Sequence, residues 1–337
     1  MMKSPLGRSV RPLLSTLLSI AAPVVALVFG LTAATAPATA AEYPDPLPVS
    51  GDTRVHDPAI VKAPNGTYIL ASTGTNLELR TSTDRVNWRR AGVVWPNGAP
   101  WTDEFTGGTD VLWAPDISFR GGRYYLYYSA SSFGSQNSGI FLATSPTGAA
   151  GSWTNLGLVT RTSEADNHNA IDPNLIVDSS GRWWLSFGSF WSGIKMIRID
   201  PATGKQSSGD RTLYSLATRP ADVSGAVEAP FIVERGGVYY LFVSFDFCCR
   251  GTSSTYRVMV GRSTSITGPY VDRNGVPLTS GGGTEVVATH DQIIGPGHQA
   301  LIPDAGGWVM VYHYYTPTDS RLAINRVGWS GGWPVLF

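Results

Sequence analysis

Five times along the chain, a short apolar strand is followed by a turn carrying glycine and then by a second strand dense in aromatic and β-branched residues. The second strands are Gly66-TYILAS, Gly122-RYYLYYS, Gly181-RWWLSFG, Gly237-VYYLFVS and Gly307-WVMVYH, spaced 56, 59, 56 and 70 residues apart. The first strands are PAIV, PDISF, PNLIV, PFIV and ALIP, so each pair reads as a β-hairpin, with turns such as Pro64-Asn-Gly, Gly121-Gly and Ser180-Gly. Further strands follow in each unit: ELRTST, IFLATS, IKMIRI, YRVMVGRS and RLAINRV. Windows with apolar residues at helical spacing between caps are almost absent. Three or four strands per unit, repeated five times at roughly 60 residues, predict an all-β fold, a single-domain five-bladed β-propeller. A sandwich or jelly roll would leave the five similar units unexplained.

The N-terminus departs from this pattern. Lys3, Arg8 and Arg11 precede an apolar run from about Leu13 to Ala34, and Ala-Thr-Ala stands just before Ala41. A basic start, an apolar middle and small residues before a cleavage point describe a secretory signal peptide over residues 1–40. Residues 41–337 then form the propeller, released outside the cell and away from the membrane. The full chain carries 25 basic and 25 acidic residues, and losing the leader leaves a slight acidic excess. That excludes the basic surface a nucleic-acid partner would need. Only 15% of residues are charged, against 38 Gly, 11 Trp and 14 Tyr, a composition suited to strands, tight turns and stacking surfaces. No pattern calls for a partner subunit, and a monomer is expected.

Propeller geometry says where chemistry can gather. The first strand of each blade lines the central channel, so the residues just before those strands converge at one opening. They are His56-Asp57, Trp113-Ala114, Ile171-Asp172, Glu228-Ala229 and His298-Gln299. Three carboxylates at one opening suit glycoside hydrolysis. One carboxyl must protonate the leaving oxygen while another, ionised, activates water or attacks the sugar. A third acid nearby can hold their proton affinities apart. Asp57, Asp172 and Glu228 are read as equivalent positions of separate repeats, which sets them apart from ordinary turn residues. Aromatic residues stack on sugar faces, and Trp113, Phe133 and Trp191 fall at the predicted rim. Tyr125, Trp183 and Tyr239, inside strands, are read as core.

The motifs Val55-His-Asp-Pro58, Leu112-Trp-Ala-Pro-Asp116, Ala170-Ile-Asp-Pro-Asn174, Val227-Glu-Ala-Pro230 and Gly295-Pro-Gly-His298 resemble glycoside hydrolase family 43. The segments Gly188-Ser-Phe-Trp-Ser-Gly193 and Phe245-Asp-Phe-Cys-Cys-Arg-Gly251 are similar, more narrowly, to its arabinan endo-1,5-α-L-arabinosidases. The resemblance runs in order through the whole mature chain. It implies a five-bladed propeller that hydrolyses α-1,5-arabinan, a pectic side-chain polysaccharide, with inversion. It assigns Asp57 as general base, Glu228 as general acid, and Asp172 as the residue that orients Glu228 and raises its pKa. It also implies sugar contacts from His56, Trp113, Phe133, Asn169, Ala170, Ile171, Ser189, Phe190 and Trp191. For His298 it implies a hydrated channel ion, often calcium, although calcium prefers oxygen ligands.

No histidine pair has zinc-protease spacing. Cys248 and Cys249 are adjacent and cannot staple distant segments; they are two buried thiols or a vicinal disulfide, with a structural role in their turn. An exo-arabinanase, an α-L-arabinofuranosidase or a β-xylosidase would share the three acids. Many relatives acting on branched xylans carry a further module, which is not seen after Phe337. A sialidase is disfavoured because Ser82-Thr-Asp-Arg-Val-Asn-Trp88 lacks the glycine of that family's turn repeat and occurs once. A non-catalytic sugar-binding propeller would have no need of all three acids.

Overall fold

The structure is a computed structural model that describes residues 43–337; the signal-peptide expectation lies outside the described residues. Five antiparallel sheets follow one another along the chain, as the repeat predicts. Blade one comprises Ala59–Lys62, Tyr68–Ser72, Glu78–Ser82 and Asn87–Val93, with Ser50–Gly51 added in parallel on its outer edge. Blade two comprises Val111–Arg120, Arg123–Ala130, Ser138–Ser145 and Thr154–Thr162. Blade three has Asn174–Val177, Trp183–Phe187 and Ile194–Asp200, with Lys205–Gln206 and Tyr214–Ala217 both pairing on the last of these. Val227–Arg235, Val238–Phe245, Arg257–Ser263 and Thr284–Val287 make blade four. Blade five is Ile294–Asp304, Gly307–Tyr315, Ser320–Ser330 and Trp333–Leu336. The one α-helical stretch among the described residues, Asp103–Thr106, is a single turn.

The core explains the density of the second strands. Five apolar clusters lie one between each pair of neighbouring blades, the last joining blade five to blade one through Ile60, Leu70, Val309 and Val311. Each blade is therefore covered on both faces, and its middle strands read as nearly continuous apolar runs rather than as an alternation. Tyr125 and Trp183 pack together between blades two and three, and Tyr239 between three and four, as expected of core aromatics. At the Gly121-Gly122 turn both residues have positive φ (56° and 81°), which glycine adopts without steric cost.

Among the described residues no strand is exchanged between the first and last blades, and polar groups add to the apolar contacts of that joint. The side chain of Asp304 accepts from Lys62 Nζ at 2.6 Å and Tyr68 Oη at 2.7 Å, and pairs with the charge of Arg85, whose Nε lies 2.8 Å away. The backbone of Thr53 and Val55 pairs with Leu322 and Ser320.

Candidate active site

Every blade starts with a backbone kink. Asp57, Ala114, Asp172, Ala229 and His298 all take left-handed φ, between 45° and 59°. Such a conformation costs a side-chain-bearing residue roughly 1–2 kcal/mol, so it persists only where neighbours hold it. Each of the five N–H groups donates to a side chain of the preceding blade. Ala114 donates to Thr73 Oγ1 (2.8 Å), Asp172 to Ser129 Oγ (3.0 Å), and His298 to Ser244 Oγ (2.9 Å). Asp57 closes the circle on His313 Nδ1 (3.0 Å). Thr73, Ser129, Ser244 and His313 occupy the same place at the ends of their second strands. In blade three that place is Gly188, where a Cβ would lie 2.7 Å from the carbonyl oxygen of Gly193. There the Asp172 carboxylate takes over, accepting the Ala229 N–H at 3.0 Å.

This register corrects one expectation. Asp57 and Asp172 are equivalent, but Glu228 stands one residue earlier in its repeat, level with His56, Trp113 and Ile171. The local φ therefore aims a longer side chain at the same opening. Asp57, Asp172 and Glu228 line one cleft of ≈ 870 Å³ together with His298.

The environments of the acids differ. Asp57 Oδ2 accepts from Thr73 Oγ1 at 2.6 Å, and His298 Nδ1 lies 3.1 Å from Oδ1. Burial would raise the Asp57 carboxyl, but the imidazoles of His298 and His56 outweigh it and hold the group well below the usual carboxylate range. Burial would lower His298, yet the Asp57 carboxylate beside it pushes the imidazole up to about 9. Glu228 is raised by burial; the Tyr256 hydroxyl beside it and the Ser189 hydroxyl, which donates to Oε2 at 2.7 Å, offset that only in part. Asp172 is also raised, by burial first and then by the neighbouring Glu228 and Asp57 carboxylates, against the opposing pull of His298. The opening therefore holds one ionised carboxylate and two buried carboxyls that favour their protons.

Of the expected sugar contacts, His56, Trp113, Phe133, Asn169, Ile171, Ser189, Phe190 and Trp191 line the cleft. Phe133 (85% exposed) and Trp191 (41% exposed) stand in solvent rather than in the core. Asn169 Oδ1 is buried without a partner, an acceptor available to a sugar hydroxyl. Ala170 is the exception. Its methyl points inward between those two neighbours and packs with Leu175 and Tyr127 in the core.

Residue patterns missed several members of the site. His313, held neutral by burial and by His56, stacks on His56 with ring centroids 4.1 Å apart. Tyr256 is fully buried beside Glu228. Gly297 has no side chain because a Cβ would sit 2.0 Å from the Tyr256 ring. Cys248 and Cys249 are joined as a disulfide and line the cleft. The shared place of Thr73, Ser129, Ser244 and His313 in the repeat was the readable signal for the hydrogen-bonded ring.

For a metal, the only tight group of potential ligands among the described residues is His56, Asp57 and His313. His298 commits one ring nitrogen to Asp57 and offers a single further one. Calcium takes six to eight oxygen ligands, so a calcium ion on His298 would draw its oxygens from water.

A five-bladed propeller with one carboxyl pushed towards ionisation and two pushed towards protonation in one aromatic-walled cleft is the framework of a carbohydrate-cleaving enzyme. The family model described as glycosyl hydrolases family 43 matches residues 48–334. The chain belongs to that family and is a glycoside hydrolase. It is 42% identical over 287 residues to the extracellular endo-alpha-(1->5)-L-arabinanase 1 of Bacillus subtilis, covering 83% of this chain and 87% of that one. Its fold matches the solved GH43 endo-arabinanase from Bacillus licheniformis with a TM-score of 0.80 and 45% identity, covering 86% of this chain and 99% of that one. It also matches an exo-1,5-alpha-L-arabinanase from a bovine ruminal metagenomic library, with a TM-score of 0.79 and 38% identity, over 86% and 99% of the two chains.

Proposed function

We propose that this hydrolase is a secreted, monomeric endo-arabinanase that cleaves α-1,5-L-arabinofuranosyl bonds with inversion. The observation that carries the chemistry is the split in proton affinity between Asp57 and Glu228 across one cleft. Asp57, ionised, takes a proton from water as its oxygen attacks the anomeric carbon. Glu228 gives its proton to the departing sugar oxygen as that bond breaks, and exchange with solvent restores both groups. Asp172 fixes the backbone next to Glu228 through the Ala229 N–H, and in this reading it orients the acid and helps to keep its pKa raised. Trp113, Phe133 and Trp191 offer faces to the furanose rings, and the free Asn169 acceptor takes a hydroxyl. A hydrated cation on the remaining nitrogen of His298 would have to displace the proton that the Asp57 carboxylate favours there.

The substrate and the secretion rest on the relatives' names, together with the residues of the leader. Endo action is favoured over exo by the more similar relatives. Product sizes from linear arabinan test it: mixed oligomers early support endo cleavage, and one small product from the start refutes it. Proton NMR of the first product tests the stereochemistry. A β-anomer is expected, and an α-anomer would make Asp57 a nucleophile in a retaining reaction.

A further inference from the structure

Cys248 and Cys249 do nothing that a cross-link usually does. A disulfide stabilises chiefly by restricting long loops of the unfolded chain, and this one joins sequence neighbours. Its loop is held without it. Asp246 is clamped by Arg219 and by Arg257 Nε (2.8 Å), and across the loop's neck the Thr255 N–H donates to the Phe247 carbonyl while the Phe247 N–H donates to Thr255 Oγ1. The Cys249 N–H donates to Tyr315 Oη at 2.9 Å, and Arg250 N–H to Ser254 Oγ at 3.0 Å.

What the loop does present is a surface. Both cysteines face the cleft that holds the three acids. Cys249 is exposed, and its sulfur lies 3.8 Å from His56 Nε2, which is itself 3.6 Å from Asp57 Oδ1. The sulfur pair thus stands one side chain away from the general base. Phe247 continues the same wall, with Phe190 at 5.9 Å and the Arg250 guanidinium 3.9 Å over its ring. A disulfide is polarisable, apolar and free of ionisable protons. Closed between neighbouring residues it has no rotamer freedom to lose on binding. Two separate thiols there would swing, and would have that freedom to lose on binding.

We propose that the Cys248–Cys249 disulfide is a sugar-contacting wall of the cleft, a binding determinant on the general-base side of the scissile bond that grips the carbon-bound faces of a furanose ring. The inference rests on the arabinan reading above. It gives this motif a function in binding as well as in the turn.

The test compares oxidised wild type, wild type reduced with a phosphine under native conditions, and the C248S/C249S variant, each assayed on linear arabinan and on short α-1,5-arabino-oligosaccharides. Reduction keeps the chain unaltered, so it reports even where the variant folds poorly, and melting curves accompany each form. We expect KM to rise about tenfold, the equivalent of one good apolar contact. We also expect kcat within about twofold, an unshifted pH profile of kcat, and recovery on reoxidation. A lowered melting temperature with KM unchanged would leave a structural turn and overturn the proposal. A fall in kcat with a displaced pH profile would overturn it too, because the disulfide would then act through His56 and Asp57. So would mass spectrometry showing free thiols in the secreted enzyme. Oxidised wild type inactive on arabinan would instead refute the substrate reading on which the proposal stands.

Discussion

Replacing Asp172 by alanine and by asparagine separates its two assigned roles. The alanine variant deletes the acceptor for the buried Ala229 N–H. An unsatisfied buried donor costs ~1–3 kcal/mol, and a melting temperature moves about 2–4 °C per kcal/mol in domains approaching this size. Alanine also tolerates the left-handed φ of 59° less well than aspartate or asparagine. Because Ala229 adjoins Glu228, the acid is displaced as well, and activity should fall by up to the ~10²–10⁴ that a general acid supplies. Asparagine keeps an oxygen for the Ala229 N–H and accepts the backbone angle, but carries no charge. If Asp172 acts mainly by positioning, as its own raised pKa suggests, Asp172→Asn should melt like wild type. It should also retain activity on linear arabinan within roughly tenfold, ~1.4 kcal/mol of barrier. Differential scanning calorimetry and reducing-sugar release measure the two quantities. An asparagine variant with wild-type melting and the activity loss of alanine would refute positioning and leave charge as the operative property.

Glu228→Ala should lose ~10²–10⁴ in rate on arabinan but recover in part on a substrate with an activated aryl leaving group, whereas Asp57→Ala should not; a Glu228→Ala variant within threefold of wild type removes it as the acid. Ser189→Ala deletes a donor that stabilises the Glu228 carboxylate. The acid's pKa should rise further and, since Glu228 works protonated, the alkaline limb of kcat/KM should move to higher pH; a shift to lower pH would contradict the assignment. Long dialysis against a chelator should lower the melting temperature if His298 holds an ion, calcium should restore it, and His298→Ala should abolish that response. Unchanged melting in wild type removes the ion.

The architecture was legible because each blade is buried on both faces, which writes it into the chain as paired apolar runs separated by glycine turns. The exposed aromatics were legible for the opposite reason: Phe133 and Trp191 fall after strands, among Ser and Gly, where nothing covers them. His313 and Tyr256 were not legible. His313 sits inside a strand and Tyr256 immediately before one, both in runs that look like core, and their partners Asp57 and Glu228 are brought by other segments, in the case of His313 from the far end of the chain. Ala170 failed in the other direction. It lies between two cleft residues, but an extended backbone alternates its side chains, and this one faces inward. The cysteine pair was read as a local turn, because adjacency in sequence does not reveal which way a turn faces.

The ring of five kinks ties the chemistry to the closure of the fold. Four blades hold the next blade's kink with a side chain from the end of the second strand: Thr73, Ser129, Ser244 and His313. Blade three cannot, because the backbone at Gly193 comes too close to Gly188 for any side chain there. Its acceptor must come from elsewhere, and the nearest position that faces the channel is its own kink residue, Asp172. The carboxyl that sets the place of Glu228 is therefore also the link that joins blade three to blade four. Asp57 repeats the arrangement in reverse. Its N–H is the link from blade five, and its carboxylate accepts from Thr73, the hydroxyl that holds blade two. An error in blade registration would thus misplace both carboxyls at once, so Asp57 and Glu228 come together in one cleft only when the propeller closes correctly.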